Sequence, residues 1–125
     1  MAVSPGFRAF LDEQFAPLPG VTIRNMFGGL GVFRDGIMFA MSVEDTLYLK
    51  CEGERTTEFA AEGSAPVVFR SHTGKDIPMP YWRAPERLFD EPEEFRMWAE
   101  RAFADAWRAK VEKPAKKRGK AKASG

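Results

Sequence analysis

The sequence predicts an α+β domain: an antiparallel sheet built on a three-stranded meander, with flanking helices. Three observations carry that expectation. Residues 24–50, RNMFGGLGVFRDGIMFAMSVEDTLYLK, hold apolar runs broken by two short turn signals, Asp35-Gly36 and Glu44-Asp45. Near the start, Phe7, Phe10, Leu11 and Phe15 fall at helical spacing. Near the end, Phe95, Trp98, Ala99, Ala102, Phe103, Ala106 and Trp107 trace one apolar face over several turns.

The first helix opens on Ser4-Pro5, a capping residue followed by a residue suited to the first turn, and Pro17 ends it. Pro19-Gly20 make a turn. Residues 21–26 form a lead-in strand, and the glycine-rich Phe27-Gly28-Gly29-Leu30-Gly31 enters the meander. A two-residue loop at Asp35-Gly36 pairs Arg34 with Ile37, Phe33 with Met38, Val32 with Phe39 and Gly31 with Ala40. The turn at Glu44-Asp45 pairs Val43 with Thr46, Ser42 with Leu47, Met41 with Tyr48 and Ala40 with Leu49.

These registers sort the side chains into two faces. One holds Gly31, Phe33, Met38, Ala40, Ser42, Leu47 and Leu49; the other holds Leu30, Val32, Ile37, Phe39, Met41, Val43 and Tyr48, with Arg34 and Lys50 at the ends. Both are largely apolar, although a solvated sheet face should alternate to polar. The long C-terminal helix is expected to cover one. Another helix, a chain terminus or a second subunit must cover the other.

Residues 53–62 carry a weak helical signal anchored by Phe59 and capped by Gly63. Residues 67–70 and 77–82 are extended, the latter at an edge because of Pro78 and Pro80. Ala84-Pro85-Glu86 opens a single turn reaching Phe89, and Asp90 caps the final helix with acids in its first turn. Its polar face holds Arg96, Glu100, Arg101, Asp105 and Arg108. Past Lys110 the periodicity stops. The expected organisation is therefore a domain over residues 1–110 and a disordered Lys-rich tail over residues 111–125.

The 44% hydrophobic and 30% charged content are those of a soluble globular domain, here with 11 Phe to build the core. Charge is unevenly distributed. Residues 110–125 hold seven Lys/Arg against Glu112, for +6, while the remaining twelve basic and seventeen acidic residues leave the body at −5. One cysteine, Cys51, allows no internal disulfide, and Arg8, Asp12 and Glu13 interrupt any leader-like apolar run. The longest apolar run is residues 37–41, far short of a membrane span. A cytoplasmic protein without membrane contact is expected.

Candidate chemistry is sparse. A phosphate loop needs glycines leading into a helix, whereas the Gly28–Gly31 cluster leads into a strand and no Gly-Lys-Ser/Thr follows. Backbone geometry accounts better for these glycines. His72 and Cys51 are too few for a structural metal site. A triad of Ser71 or Ser42 with His72 lacks a nucleophile-elbow pattern. Asp90, Glu91, Glu93 and Glu94 are explained by capping, and Trp98, Phe103 and Trp107 by core packing in place of base stacking. No catalytic, cofactor or metal residue is expected. The tail reads either as a solubilising end or as a nonspecific DNA-binding element using Lys113, Lys116, Lys117, Arg118, Lys120 and Lys122.

Arg24-Asn25-Met26-Phe27-Gly28-Gly29, Asp35-Gly36-Ile37-Met38-Phe39-Ala40 and Asp45-Thr46-Leu47-Tyr48-Leu49-Lys50 together resemble the N-terminal domain of the TfoX/Sxy family. Phe59-Ala60-Ala61-Glu62-Gly63, Tyr81-Trp82-Arg83-Ala84-Pro85-Glu86 and the closing helix fit the same pattern, over residues 7–110. The resemblance implies an α+β domain similar to secretion-chaperone-like folds. It also implies kinship with bacterial regulators of DNA-uptake competence that act as transcription coactivators. Those regulators carry a second, helical C-terminal domain; here only the basic tail is expected after Lys110. The resemblance supplies no catalytic residues. The expected role is therefore a non-enzymatic regulatory or accessory protein that contacts a protein partner or itself as a dimer, with nonspecific DNA contacts through the tail. The alternative is an interaction module or homodimer with no nucleic-acid role. A small-molecule-binding protein or enzyme with a pocket near residues 28–31 is a third reading.

Overall fold

The computed structural model describes residues 4–26 and 28–124, with side chains described to Val111. The elements run α1 (Pro5–Phe15), β1 (Val21–Met26), β2 (Gly29–Arg34), β3 (Ile37–Val43), β4 (Thr46–Lys50), α2 (Arg55–Ala61), β5 (Pro66–Arg70), β6 (Asp76–Arg83), a 3₁₀ helix (Glu86–Asp90) and α3 (Pro92–Ser124). The tail expected over residues 111–125, with Lys113, Lys116, Lys117, Arg118, Lys120 and Lys122, lies outside the described side chains.

Local chemistry explains the helix ends. The Ser4 hydroxyl accepts from the Phe7 amide at 3.2 Å, and Pro5 follows at the first helical position. At the end of α2, Gly63 takes φ +79°, and the amides of Gly63 and Ser64 donate to the carbonyls of Ala60 and Phe59. Helix α3 begins at Pro92, so Glu91, and not the expected Asp90, occupies the position before it. The missing N–H of Pro92 costs nothing there.

The six strands form one antiparallel sheet ordered β1-β2-β3-β4-β6-β5. The meander is extended on both sides of the expected three strands. Asp35 and Gly36 both have positive φ, 54° and 78°, as a tight hairpin of the mirror-turn type requires. All four expected pairs between β3 and β4 are present.

Between β2 and β3 the register departs from expectation. Arg34↔Ile37 and Phe33↔Met38 hold, but Val32 then pairs with Ala40, Gly31 with Met41 and Leu30 with Ser42. Phe39 is an extra residue, a β-bulge. The bulge turns both Phe39 and Ala40 to one side, where both are fully buried. Beyond it the alternation of β3 is reversed. The expected faces are therefore recombined: Leu30, Val32, Phe39, Ala40, Ser42, Leu47 and Leu49 share the buried face, while Gly31, Phe33, Met38, Met41, Val43 and Tyr48 share the other.

All three helices pack on the buried face. Phe15 of α1 meets Phe39 and Phe95 edge-on, and Phe39 meets Phe103 of α3 at 5.7 Å and 87°. Phe59 of α2 lies against Trp82 and Trp98. T-shaped aromatic pairs of this kind add to the burial of apolar area that stabilises the core. Arg34 lies at the margin of this layer, with its guanidinium 2.8 Å from Glu100 and 4.8 Å from the Phe103 ring centre.

Two residues of α3 differ from the helical-wheel reading. Trp107 is 52% exposed, whereas Trp98 is 7% exposed and donates its indole N–H to Glu94. Asp105, expected on the polar face, is 1% exposed; it lies 3.0 Å from Arg108 and 3.6 Å from Arg55, and it accepts from the Glu52 amide. A buried carboxylate needs such partners. It also fastens the loop after β4 to α3.

Strand β6 is interior by strand order, not an edge. Its prolines are tolerated because β4 pairs only with Tyr81, Trp82 and Arg83. Pro78 lies past the end of that ladder, and Pro80 falls in the irregular stretch between Val68↔Pro78 and Pro66↔Trp82.

Candidate interaction groove on the open sheet face

Among the described residues no helix lies over the second sheet face. Its centre is a groove of about 270 Å³ lined by Met26, Gly28, Gly29, Leu30, Met38, Met41, Ser42, Val43, Met79 and Tyr81. Four of the chain's six methionines meet there. Methionine side chains are unbranched and polarisable, so they reshape around different occupants more readily than branched aliphatics do.

Glycines form the floor. Gly28 has φ +77°, which a side chain would strain, in the short connection between β1 and β2. A methyl group on Gly29 would collide with the Ser42 carbonyl oxygen. One on Gly31 would meet the Met26 sulfur at 2.5 Å, the Phe33 ring at 2.8 Å and the Met38 sulfur at 3.2 Å. The glycine-rich entrance therefore serves backbone geometry and leaves space for side chains above it. It leads into β2 and not a helix, so it lacks the helix N-terminus that a phosphate loop supplies.

The walls carry the polar groups. Tyr81 is buried and donates its hydroxyl to the Met38 carbonyl at 3.3 Å. Burial, and secondarily the charge of Glu52, pushes its ionisation up to about 12, which keeps it a neutral donor. The Lys50 ammonium lies 5.3 Å from the Tyr81 ring centre, and Arg24 stands 5.3 Å from that of Phe33. Both cations stand near the groove, Lys50 paired with the Glu52 carboxylate at 3.3 Å.

The other sequence candidates are not brought together. His72 lies in the turn between β5 and β6, where the Ser71 and Thr73 hydroxyls bond each other. Ser42 is buried and donates to the Glu44 carbonyl. Cys51 is buried, and desolvation, then the Asp105 charge, pushes its thiol up to about 12. Among the described residues, no group of three or more His, Cys, Asp or Glu converges to hold a metal ion. No described helix is long and apolar enough to cross a membrane.

The acidic start of α3 does more than cap. Arg87 of the 3₁₀ helix bonds both oxygens of Glu62 and of Glu94 and reaches Glu91. These bonds raise the pKa of Arg87 and hold Glu94 down to about 2, with Glu62 also lowered. The hub joins α2, the 3₁₀ helix and α3 at the protein surface.

A pocket near residues 28–31 is one of the readings the sequence supports, but its methionine walls are not legible there, because they fall on both faces of the regular register. The signal that could have found them is methionine content: Met26 lies on β1 and Met38 and Met41 on β3, the two strands that flank β2. Met79 then joins from the far side of β4.

A family model described as the TfoX N-terminal domain matches residues 13–106, a span that includes the whole sheet. No curated protein matches the chain.

Proposed function

This chain belongs to the TfoX N-terminal domain family, and on that premise we propose that it is a non-enzymatic regulatory or accessory protein acting through protein–protein contacts. The observation that carries the reading is the open sheet face: a methionine-lined groove with Lys50 and Arg24 at its margins. Apolar surface ringed by polar groups is the usual form of a contact site, and methionine suits one that adapts to its partner. The helices are all engaged on the opposite face, so contact here would leave the core intact.

The basic segment supports a second contact, with nucleic acid. Lys113, Lys116, Lys117, Arg118, Lys120 and Lys122 each can neutralise a phosphate and release a counterion. Regulation of competence genes as a coactivator, in a bacterial cytoplasm, is the role that fits a protein contact and a nonspecific DNA contact in one chain.

Placing charge on the open face tests the first contact. Met41→Glu should leave the far-ultraviolet circular dichroism unchanged while abolishing self-association or recovery of a specific partner. An unchanged sedimentation profile together with an unchanged partner set would exclude the groove as the contact surface. For the second contact, DNA retention is measured against salt. Changing the six basic residues to Gln should flatten the log–log salt slope by up to about 5. Equal slopes would leave the alternative, an interaction module without a nucleic-acid role.

A further inference from the structure

We propose that the methionine groove holds a soft monovalent cation, Cu(I) or its mimic Ag(I), through the thioether sulfurs of Met26, Met38 and Met41. Three observations converge on this site. The sulfurs of Met26 and Met38 lie 2.5 and 3.2 Å from where a Cβ on Gly31 would stand, so the two are neighbours above that glycine, and both residues line the groove. Met41 is the direct cross-strand partner of Gly31 and lines the same groove. Gly31 itself contributes no side chain, and the three nearest described atoms above it are the two thioether sulfurs and a Phe33 ring carbon.

The chemistry selects the ion. Thioethers are neutral, soft donors that bind Cu(I) and compete poorly for Zn²⁺, Mg²⁺ or Ca²⁺, which need imidazole, thiolate or oxygen ligands. Among the described residues, no carboxylate or imidazole lines the groove. The bound ion would bring only a single positive charge into an apolar place. Methionine also has the conformational freedom to draw its sulfur a short way toward a shared ion without moving the strands. Met79 on β6 stands at the far wall and completes the sulfur lining.

The site goes beyond the proposed regulatory contact and does not depend on it, although the two share a surface. Occupation would replace a deformable groove with a cross-linked one spanning β1, β2 and β3, which gives the partner contact a metal-dependent form.

The test uses the full chain and the metal alone. Under anaerobic, reducing conditions, Cu(I) is titrated in competition with a colorimetric Cu(I) chelator, with methyl-labelled methionine followed by NMR. The expected result is one ion per chain, with the methyl signals of Met26, Met38 and Met41 displaced and that of exposed Met97 unmoved. Met26→Leu, Met38→Leu and Met41→Leu combined keep the volume and apolarity of the groove, so the fold should persist while binding is lost. Cys51→Ala and His72→Gln should bind as the wild type does. Absence of stoichiometric binding overturns the proposal. So does binding that survives the triple Leu substitution, or that disappears with Cys51 or His72. If the triple variant fails to fold, the methyl shifts in the wild-type protein decide the matter alone.

Discussion

Replacing Ala40 with leucine probes the bulge directly. In the structure Ala40 is fully buried and belongs to the cluster containing Ala99, Ala102 and Ala106 of α3, the helix that packs chiefly on β3. Small residues on both sides let helix and strand approach closely. An isobutyl group there has no vacant volume to enter, and overpacking of this kind costs about 1–3 kcal/mol. With a urea m-value of roughly 1–3 kcal/mol/M, the unfolding midpoint should fall by on the order of 1 M. The control is the neighbouring Met41→Leu on the open face, expected to cost less than about 1.5 kcal/mol. Equilibrium urea unfolding followed by tryptophan fluorescence measures both. In a regular register Ala40 would stand opposite Gly31 in the groove, where leucine is readily accommodated. An Ala40→Leu midpoint equal to that of the wild type would therefore refute the bulge and the face assignment that depends on it.

Three further outcomes follow from the packing and the charges. Trp98→Ala should destabilise by about 3–5 kcal/mol and Trp107→Ala by no more than about 0.5, because only the first is buried; thermal unfolding of the pair separates them. Asp35 and Gly36 together changed to Ala should weaken the β2–β3 hairpin by roughly 1–2 kcal/mol for each residue forced to positive φ, visible as faster amide exchange across β2 and β3. Glu94 and Glu62 have lowered carboxyl pKa values in the folded protein, so their stabilising contribution is present above the ordinary value of 4.5 and is lost as pH falls toward 2. Arg87→Met should flatten that acid limb in a series of unfolding curves from pH 6 to pH 2, and high salt should shrink the difference.

Much of the architecture was legible in the residues because it depends on local rules. Ser4-Pro5, Gly63 and Asp35-Gly36 each determine backbone geometry within a few positions, and the structure places a helix start, a helix end and a hairpin there. The β3–β4 register followed from a two-residue turn and needed no knowledge of the rest of the chain. Departures occur where tertiary contacts compete. Asp105 has the spacing of a surface residue, but Arg55 and Arg108 compensate its burial. Trp107 has the spacing of a core residue, yet the sheet offers it no surface to pack on. Pro78 signals an edge, and half of β6 is one, because β4 is too short to pair along its whole length.

The stretch between Met26 and Val43 divides the two kinds of information most clearly. From the residues alone came the strands, the turns, the structural role of the glycines and the presence of two apolar faces. Which side chains share a face was decided by the bulge at Phe39, and no local rule demands an extra residue there. It arises because Phe39 and Ala40 are both buried on the helix side, Phe39 against Phe15 and Phe103, which connects residues far apart in the chain. That same step leaves Met38 and Met41 beside Gly31 and assembles the groove. Strand periodicity has a range of two residues; the choice between two equally apolar faces belongs to whichever layers the whole chain brings together.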